Sequence, residues 1–124
     1  MPRAVALVAV LLVACAHGWV SERLYCGRSI PGGGMVSDEE WTRFVAEVVT
    51  PRFPDGLTIW RADGQWREGE QIVREPVMIL EVLHRGDPAS RASIEAIAQE
   101  YRTRFRQSAV LRVTSPARAT FVTQ

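Results

Sequence analysis

The run Val77-Met78-Ile79-Leu80 constrains this chain more than any other feature. It is apolar at odd and at even positions. Strand side chains alternate between two faces, so such a run belongs to a central strand covered on both sides. It lies within a longer strand-like segment, Ile72 to His84, in which Pro76 marks a strand start or an irregularity because proline cannot donate to a ladder.

The other elements arrange themselves around that strand. Arg23 to Ile30 alternates and reads as a first strand, ended by Pro31-Gly32-Gly33-Gly34. The glycines are a flexible connection, since a phosphate loop would require Gly-x4-Gly-Lys-Ser/Thr and the chain has no lysine. Ser37 with Glu40 three residues on forms a capping box, and Val36 can staple onto Trp41. Trp41, Phe44, Val45 and Val48 make one apolar face of a helix over 37–50, stopped by Pro51 and Pro54. Leu57 to Trp66 reads as a second strand with a bulge or bend at Asp63-Gly64, followed by a turn over 67–70. Asp87-Pro88 starts a second helix over 88–107 with the stripe Ile94, Ile97, Ala98, Tyr101 and Phe105. The fourth strand, Val110–Val113 and Ala119–Val122, is broken at Ser115-Pro116. The order β-α-β-β-α-β predicts an α+β, ferredoxin-like fold: a four-stranded antiparallel sheet in the order 4-1-3-2, with two helices on one face.

The first fifteen residues carry an address. Arg3 supplies a positive start, Ala4 to Val13 is purely apolar, and Leu12-Val13-Ala14-Cys15 has the form of a bacterial lipobox. The run is shorter than the roughly 20 residues that span a bilayer. Residues 1–14 are therefore a signal peptide, 15–21 a short tether and 22–124 a single domain. Cleavage before Cys15 leaves a lipoprotein whose Cys15 sulfur carries a diacylglyceryl group with fatty-acyl chains such as palmitate, each buried methylene contributing about 0.8 kcal/mol. Ala14-Cys15-Ala16 also fits an ordinary signal-peptidase site, in which case the chain is secreted or periplasmic with its N-terminus at His17. Either way the protein belongs to the bacterial envelope or its exterior.

Charge and composition exclude several classes. The chain has 15 basic and 14 acidic residues, and removal of Arg3 with the leader leaves 15 − 1 = 14 against 14. A neutral exported domain without a basic block is no nucleic-acid binder. Every basic residue is arginine and there is no asparagine, the mark of a GC-rich genome rather than of phosphate recognition. With Cys15 lipidated or removed, Cys26 has no disulfide partner. His17 and His84 form no metal-ligand cluster, so neither metal nor cofactor is implied.

A resemblance extends over about residues 22–122. The blocks Leu24-Tyr25-Cys26-Gly27-Arg28-Ser29, Val49-Thr50-Pro51-Arg52-Phe53-Pro54-Asp55-Gly56-Leu57-Thr58, Ala62-Asp63-Gly64-Gln65-Trp66-Arg67, Ile72-Val73-Arg74-Glu75 and Val110-Leu111-Arg112-Val113 resemble the bacterial domain-of-unknown-function family numbered 3574. That resemblance implies a single domain and brings no catalytic residue with it.

Candidate site residues follow from the strand parities. Leu24 and Cys26 face the helices with Met78, Leu80 and Val82. Tyr25, Gly27 and Ser29 point to the open face with Val77, Ile79, Glu81 and Leu83, joined by Trp60 and Trp66. Such a face is too apolar to leave in water; a second subunit or a ligand covers it, or failing these the tail or a loop. Tyr25 is a candidate acid or ligand donor, against the plainer reading of an amphipathic strand residue. Cys26 is placed in the core, where thiols are inert. His84 is a candidate base at a strand end, against a solvent-facing histidine. Glu81 is a carboxylate in an apolar strand and requires a partner, Arg28 or Arg67. Trp66 with Arg67 is the most ligand-like pair, an indole beside a guanidinium, against simple hairpin packing. The functional reading is a lipid-anchored, non-catalytic domain that binds a ligand or partner, with a homodimer through the open face. The alternative is a cofactor-free enzyme of the dimeric α+β-barrel type acting on a small hydrophobic molecule. A purely structural envelope protein is a third class.

Replacing Cys15 with serine is expected to abolish lipid attachment, because the acyl-bearing group is joined through the sulfur. Mass spectrometry of the mature protein checks this, and an unmodified N-terminus at His17 contradicts it.

Overall fold

A computed structural model describes residues 18–124. The leader, Cys15 and both cleavage positions lie outside the described residues. The elements run β1 (Trp19–Gly27), α1 (Asp38–Phe44) continuing into a π-helical turn (Val45–Val49), β2 (Thr58–Glu68), β3 (Gln71–His84), α2 (Pro88–Arg104) and β4 (Leu111–Ala117). All pairings are antiparallel and the sheet order is β2-β3-β1-β4. This is the ferredoxin-like arrangement expected from the element order.

Both helices lie on the face lined by the even-numbered residues of β1 and β3. Leu24, Cys26, Met78, Leu80 and Val82 are buried against Trp41, Phe44, Ile94, Ile97, Tyr101 and Phe105. Trp41, Phe44, Tyr101 and Phe105 form an aromatic cluster with adjoining centroids 4.9 to 6.0 Å apart, mostly edge-on, the geometry that ring quadrupoles favour. The Tyr101 hydroxyl donates to the Gly27 carbonyl at 2.8 Å, tying α2 to the end of β1.

The caps form as the sequence signals indicate. The Ser37 hydroxyl accepts the Glu40 N–H at 3.1 Å, and the Glu40 carboxylate accepts the Ser37 N–H at 2.8 Å. Asp87 accepts the Ser90 N–H at 3.0 Å, with Pro88 in the first turn.

Several boundaries differ from expectation. β1 begins at Trp19 because Trp19 to Ser21 pair with the ends of β3 and β4; Ser29 makes only an isolated bridge to Met35. The first helix does not stay regular. Its last turn widens, with the Thr50 N–H reaching the Val45 carbonyl at 2.9 Å, and both Val48 and Val49 are thereby buried. No bulge interrupts β2: Asp63 and Gly64 pair in register with Pro76 and Glu75. The turn is shorter, with Glu68 opposite Gln71 and Gly69 in the left-handed region at φ 61°. β3 runs straight through Pro76, since β1 ends at Gly27 and no ladder partner on that side needs the missing N–H. α2 ends at Arg104, followed by Arg106 at φ 52°. β4 is continuous through Ser115-Pro116, which an edge strand tolerates, and Ala119–Val122 forms no strand.

Replacing Ser37 with alanine removes one side of the capping box and is expected to cost about 0.5–2 kcal/mol. Urea unfolding measures it; an unchanged midpoint contradicts the role of the cap.

Candidate functional site

Strand alternation sorts the candidate residues onto two faces. On the open face Tyr25 stands opposite Ile79 on one side and Leu111 on the other, and Ile79 stands opposite Trp60. Trp66 shares this face farther along the hairpin, opposite Val73. Ile79 is only 7% exposed, although no helix covers it. Trp60, Trp66, Leu83 and Leu111 remain exposed, Leu111 to 60%. A cleft of about 480 Å3 runs between Tyr25, Trp66, Val77 and Leu111.

Glu81 finds a partner on this face, and it is neither of the arginines expected. Arg23, directly opposite on β1, pairs with it through Nε at 2.5 Å, and the Ser21 hydroxyl donates to it at 3.3 Å. The Arg23 guanidinium also lies 6.0 Å from the Trp60 ring centroid. Arg28 is engaged elsewhere. It is buried, donates to the Val36 carbonyl at 2.9 and 2.7 Å and pairs with Asp38 at 2.7 Å, fastening the loop before α1. Arg67 follows Trp66 directly in β2, so the two side chains leave opposite faces and form no joint binding pair.

His84 lies on the helix side, away from Tyr25, and with Glu81 it borders the cleft at the end of β3. It is 5% exposed, not solvent-facing. Its Nδ1 accepts the Gly86 N–H at 2.9 Å, which puts the proton of the neutral ring on Nε2. Nε2 faces the Glu22 carboxylate at 3.6 Å and has no hydrogen-bond partner. Both ring nitrogens are thus directed at the protein. Cys26 is wholly buried, and desolvation pushes its thiol up to about 12, so it carries no nucleophile at neutral pH.

The buried polar cluster around Glu22 is absent from the sequence-derived candidates. Glu22 accepts from Arg112 at 2.7 and 3.0 Å and from the Thr114 hydroxyl at 2.7 Å. Burial raises its carboxyl, but the hydrogen bonds from Arg112 and Thr114 and the charges of Arg112 and His84 outweigh that and hold it below its usual range. The parity of Leu24 and Cys26, carried two residues back, was the signal that could have found it.

At the pole where β1 begins and β3 ends lies a larger cleft, about 660 Å3, between Trp19, the Arg52–Thr58 loop, Arg85 and Phe121. Among the described residues no group of three or more metal-ligating side chains converges, and no helix is long and apolar enough to cross a membrane.

Residues 21–121 match the family described as "Protein of unknown function (DUF3574)". The chain belongs to that family. No curated protein matches it. Among solved structures it is similar to a phage SAM lyase in complex with S-methyl-5'-thioadenosine, with a TM-score of 0.62 at 16% identity, covering 80% of this chain and 81% of the lyase. It is also similar to CutA from Synechococcus elongatus, with a TM-score of 0.54 at 12% identity, covering 83% and 80%. At these identities the likeness is one of fold alone.

The Glu22 cluster gives an acid limit with a defined sign. Its folded-state value is depressed, so its stabilisation is present above the unfolded carboxyl value of about 4.3. That stabilisation is lost as pH falls through the folded value. Urea midpoints are expected to drop below about pH 4, and to drop less in Glu22→Gln. Arg112→Leu strands a buried carboxylate and is expected to cost about 3–5 kcal/mol at neutral pH. Equal pH profiles for the native chain and Glu22→Gln contradict the assignment.

Proposed function

We propose that this member of the DUF3574 family is an exported, lipid-anchored binding domain without catalytic chemistry, and that its open sheet face pairs with a second copy of the chain. One observation carries the reading. Tyr25 lies on the open face while His84 lies buried on the other, so the two groups that an enzyme would use to carry a proton do not meet, and what remains exposed around Tyr25 is chiefly apolar. The dimeric α+β-barrel enzyme requires Tyr25 or His84 to meet a substrate as proton donor or acceptor. The burial of His84, with Nδ1 taken by the Gly86 N–H and Nε2 turned toward the Glu22 carboxylate, disfavours it.

The size of the face supports the choice of occupant. Strands about 4.8 Å apart, rising about 3.3 Å per residue, make a four-stranded sheet with a 14-residue β3. Such a sheet presents on the order of 600 Å2 of flat area, close to the roughly 800 Å2 each partner buries in a stable interface. Exposed Trp60 and Trp66 are the kind of residue enriched at interface centres. The Cys15 lipobox supports anchoring. It also raises the local concentration of copies, since anchored chains meet in two dimensions.

Ile79 is a poor place to test the interface, because its burial within one copy makes a charge there costly to the fold itself. Leu111→Glu tests it cleanly. Light scattering is expected to change from dimer to monomer with circular dichroism unchanged. A chain that is monomeric before the substitution contradicts the reading.

A further inference from the structure

The pole at which β1 begins differs from the opposite pole, and its features converge on one kind of partner. Trp19 is the first residue of β1, and Phe121 packs edge-on against it with centroids 6.3 Å apart. Phe121 is nonetheless 81% exposed, and Val122 beside it is almost fully exposed. The Arg85 guanidinium lies over the Trp19 ring at 3.8 Å from its centroid. Arg52 and Arg118 join it at this end, and none of the three arginines has a carboxylate within ion-pair distance among the described residues. The carboxylates of the same pole are otherwise employed or outnumbered: Glu81 is held by Arg23, Asp87 caps α2, and Asp55 stands alone.

Chain geometry points the same way. Only three residues lie between Cys15 and Trp19, a span of four residue steps. Fully extended, four residues reach about 14 Å. A domain acylated at Cys15 therefore cannot turn this pole far from the headgroups.

We infer that this pole, built from Trp19, Phe121, Val122, Arg85 and Arg118, lies in the headgroup layer of an anionic bilayer. The aromatic rings would sit at the depth where tryptophan and other amphipathic side chains concentrate, and the arginines would meet lipid phosphates. This inference rests on the anchor reading. It goes beyond it by fixing which surface of the domain meets the membrane, and it leaves the open sheet face turned sideways, free for a second copy. Phe121 and Val122 belong to no strand or helix, so their exposure serves no packing role within the fold.

The test uses the full mature protein, reconstituted in vesicles of three parts phosphatidylethanolamine to one of phosphatidylglycerol, with brominated acyl chains as quencher. Trp60→Phe and Trp66→Phe leave emission from Trp19 and from Trp41, which is buried in the core. Adding Trp19→Phe identifies the Trp19 share. The Trp19 emission is expected to be quenched at least twofold, and Phe121→Ser with Val122→Ser to remove most of that quenching. Mass spectrometry of the same sample reports the acyl chains. Acylated protein whose Trp19 is unquenched overturns this inference and leaves the anchor standing. A Cys15 without acyl chains overturns both.

Discussion

The antiparallel pairing of β1 with β3 is the constraint on which the rest depends. Eight pairs, from Val20 opposite His84 to Gly27 opposite Val77, lock the two central strands in register. A shift by one residue would exchange every side chain between faces. In the observed register Leu24, Cys26, Met78, Leu80 and Val82 meet the helices, while Tyr25, Ile79 and the Arg23–Glu81 pair do not. The same register brings Glu22 and His84 to the helix side of the sheet. Core, polar cluster and open face are three consequences of one alignment.

The two faces then solve different problems. On the helix face, burial of Glu22 is tolerable only because Arg112 and Thr114 satisfy its oxygens. Arg112 is itself partly exposed, so half of the pair keeps some hydration, which lowers the desolvation cost. On the open face, Ile79 is sheltered by its own cross-strand neighbours, and the indoles and leucines around it are not. A domain of this size has enough material for one core. Its second apolar surface is the one that the proposed pairing with a second copy would cover.

Much of the architecture was legible because local chemistry and long-range pairing agree. Ser37-x-x-Glu40 and Asp87-Pro88 announce helix starts with side chains that bond the nearest amides, and those bonds form. The two-sided apolar run in β3 announces a central strand. Signals that depend on distant partners were harder to read. The extension of β1 back to Trp19 and the continuity of β4 through Pro116 exist because Trp19 pairs with Ala117 and Val20 with Pro116, about a hundred residues apart. The π-helical turn at Val45–Val49 follows from packing two adjacent valines, which no capping pattern encodes. Glu81 met Arg23 because register sets it opposite, whereas charge alone nominated Arg28 and Arg67. Trp66 and Arg67 are adjacent in sequence, and for that very reason a strand separates them. Glu22 escaped notice by lying just before the expected start of the first strand at Arg23, although its parity matched that of Leu24.

The central claim is that the open face is covered in the native assembly. Oxidative footprinting of the acylated protein in its own membrane reads this directly. The account predicts that Trp60 and Trp66 are protected from hydroxyl radicals, and that Met35, exposed in the loop between β1 and α1, is oxidised freely. Oxidation of both indoles as fast as in the urea-unfolded chain would contradict it.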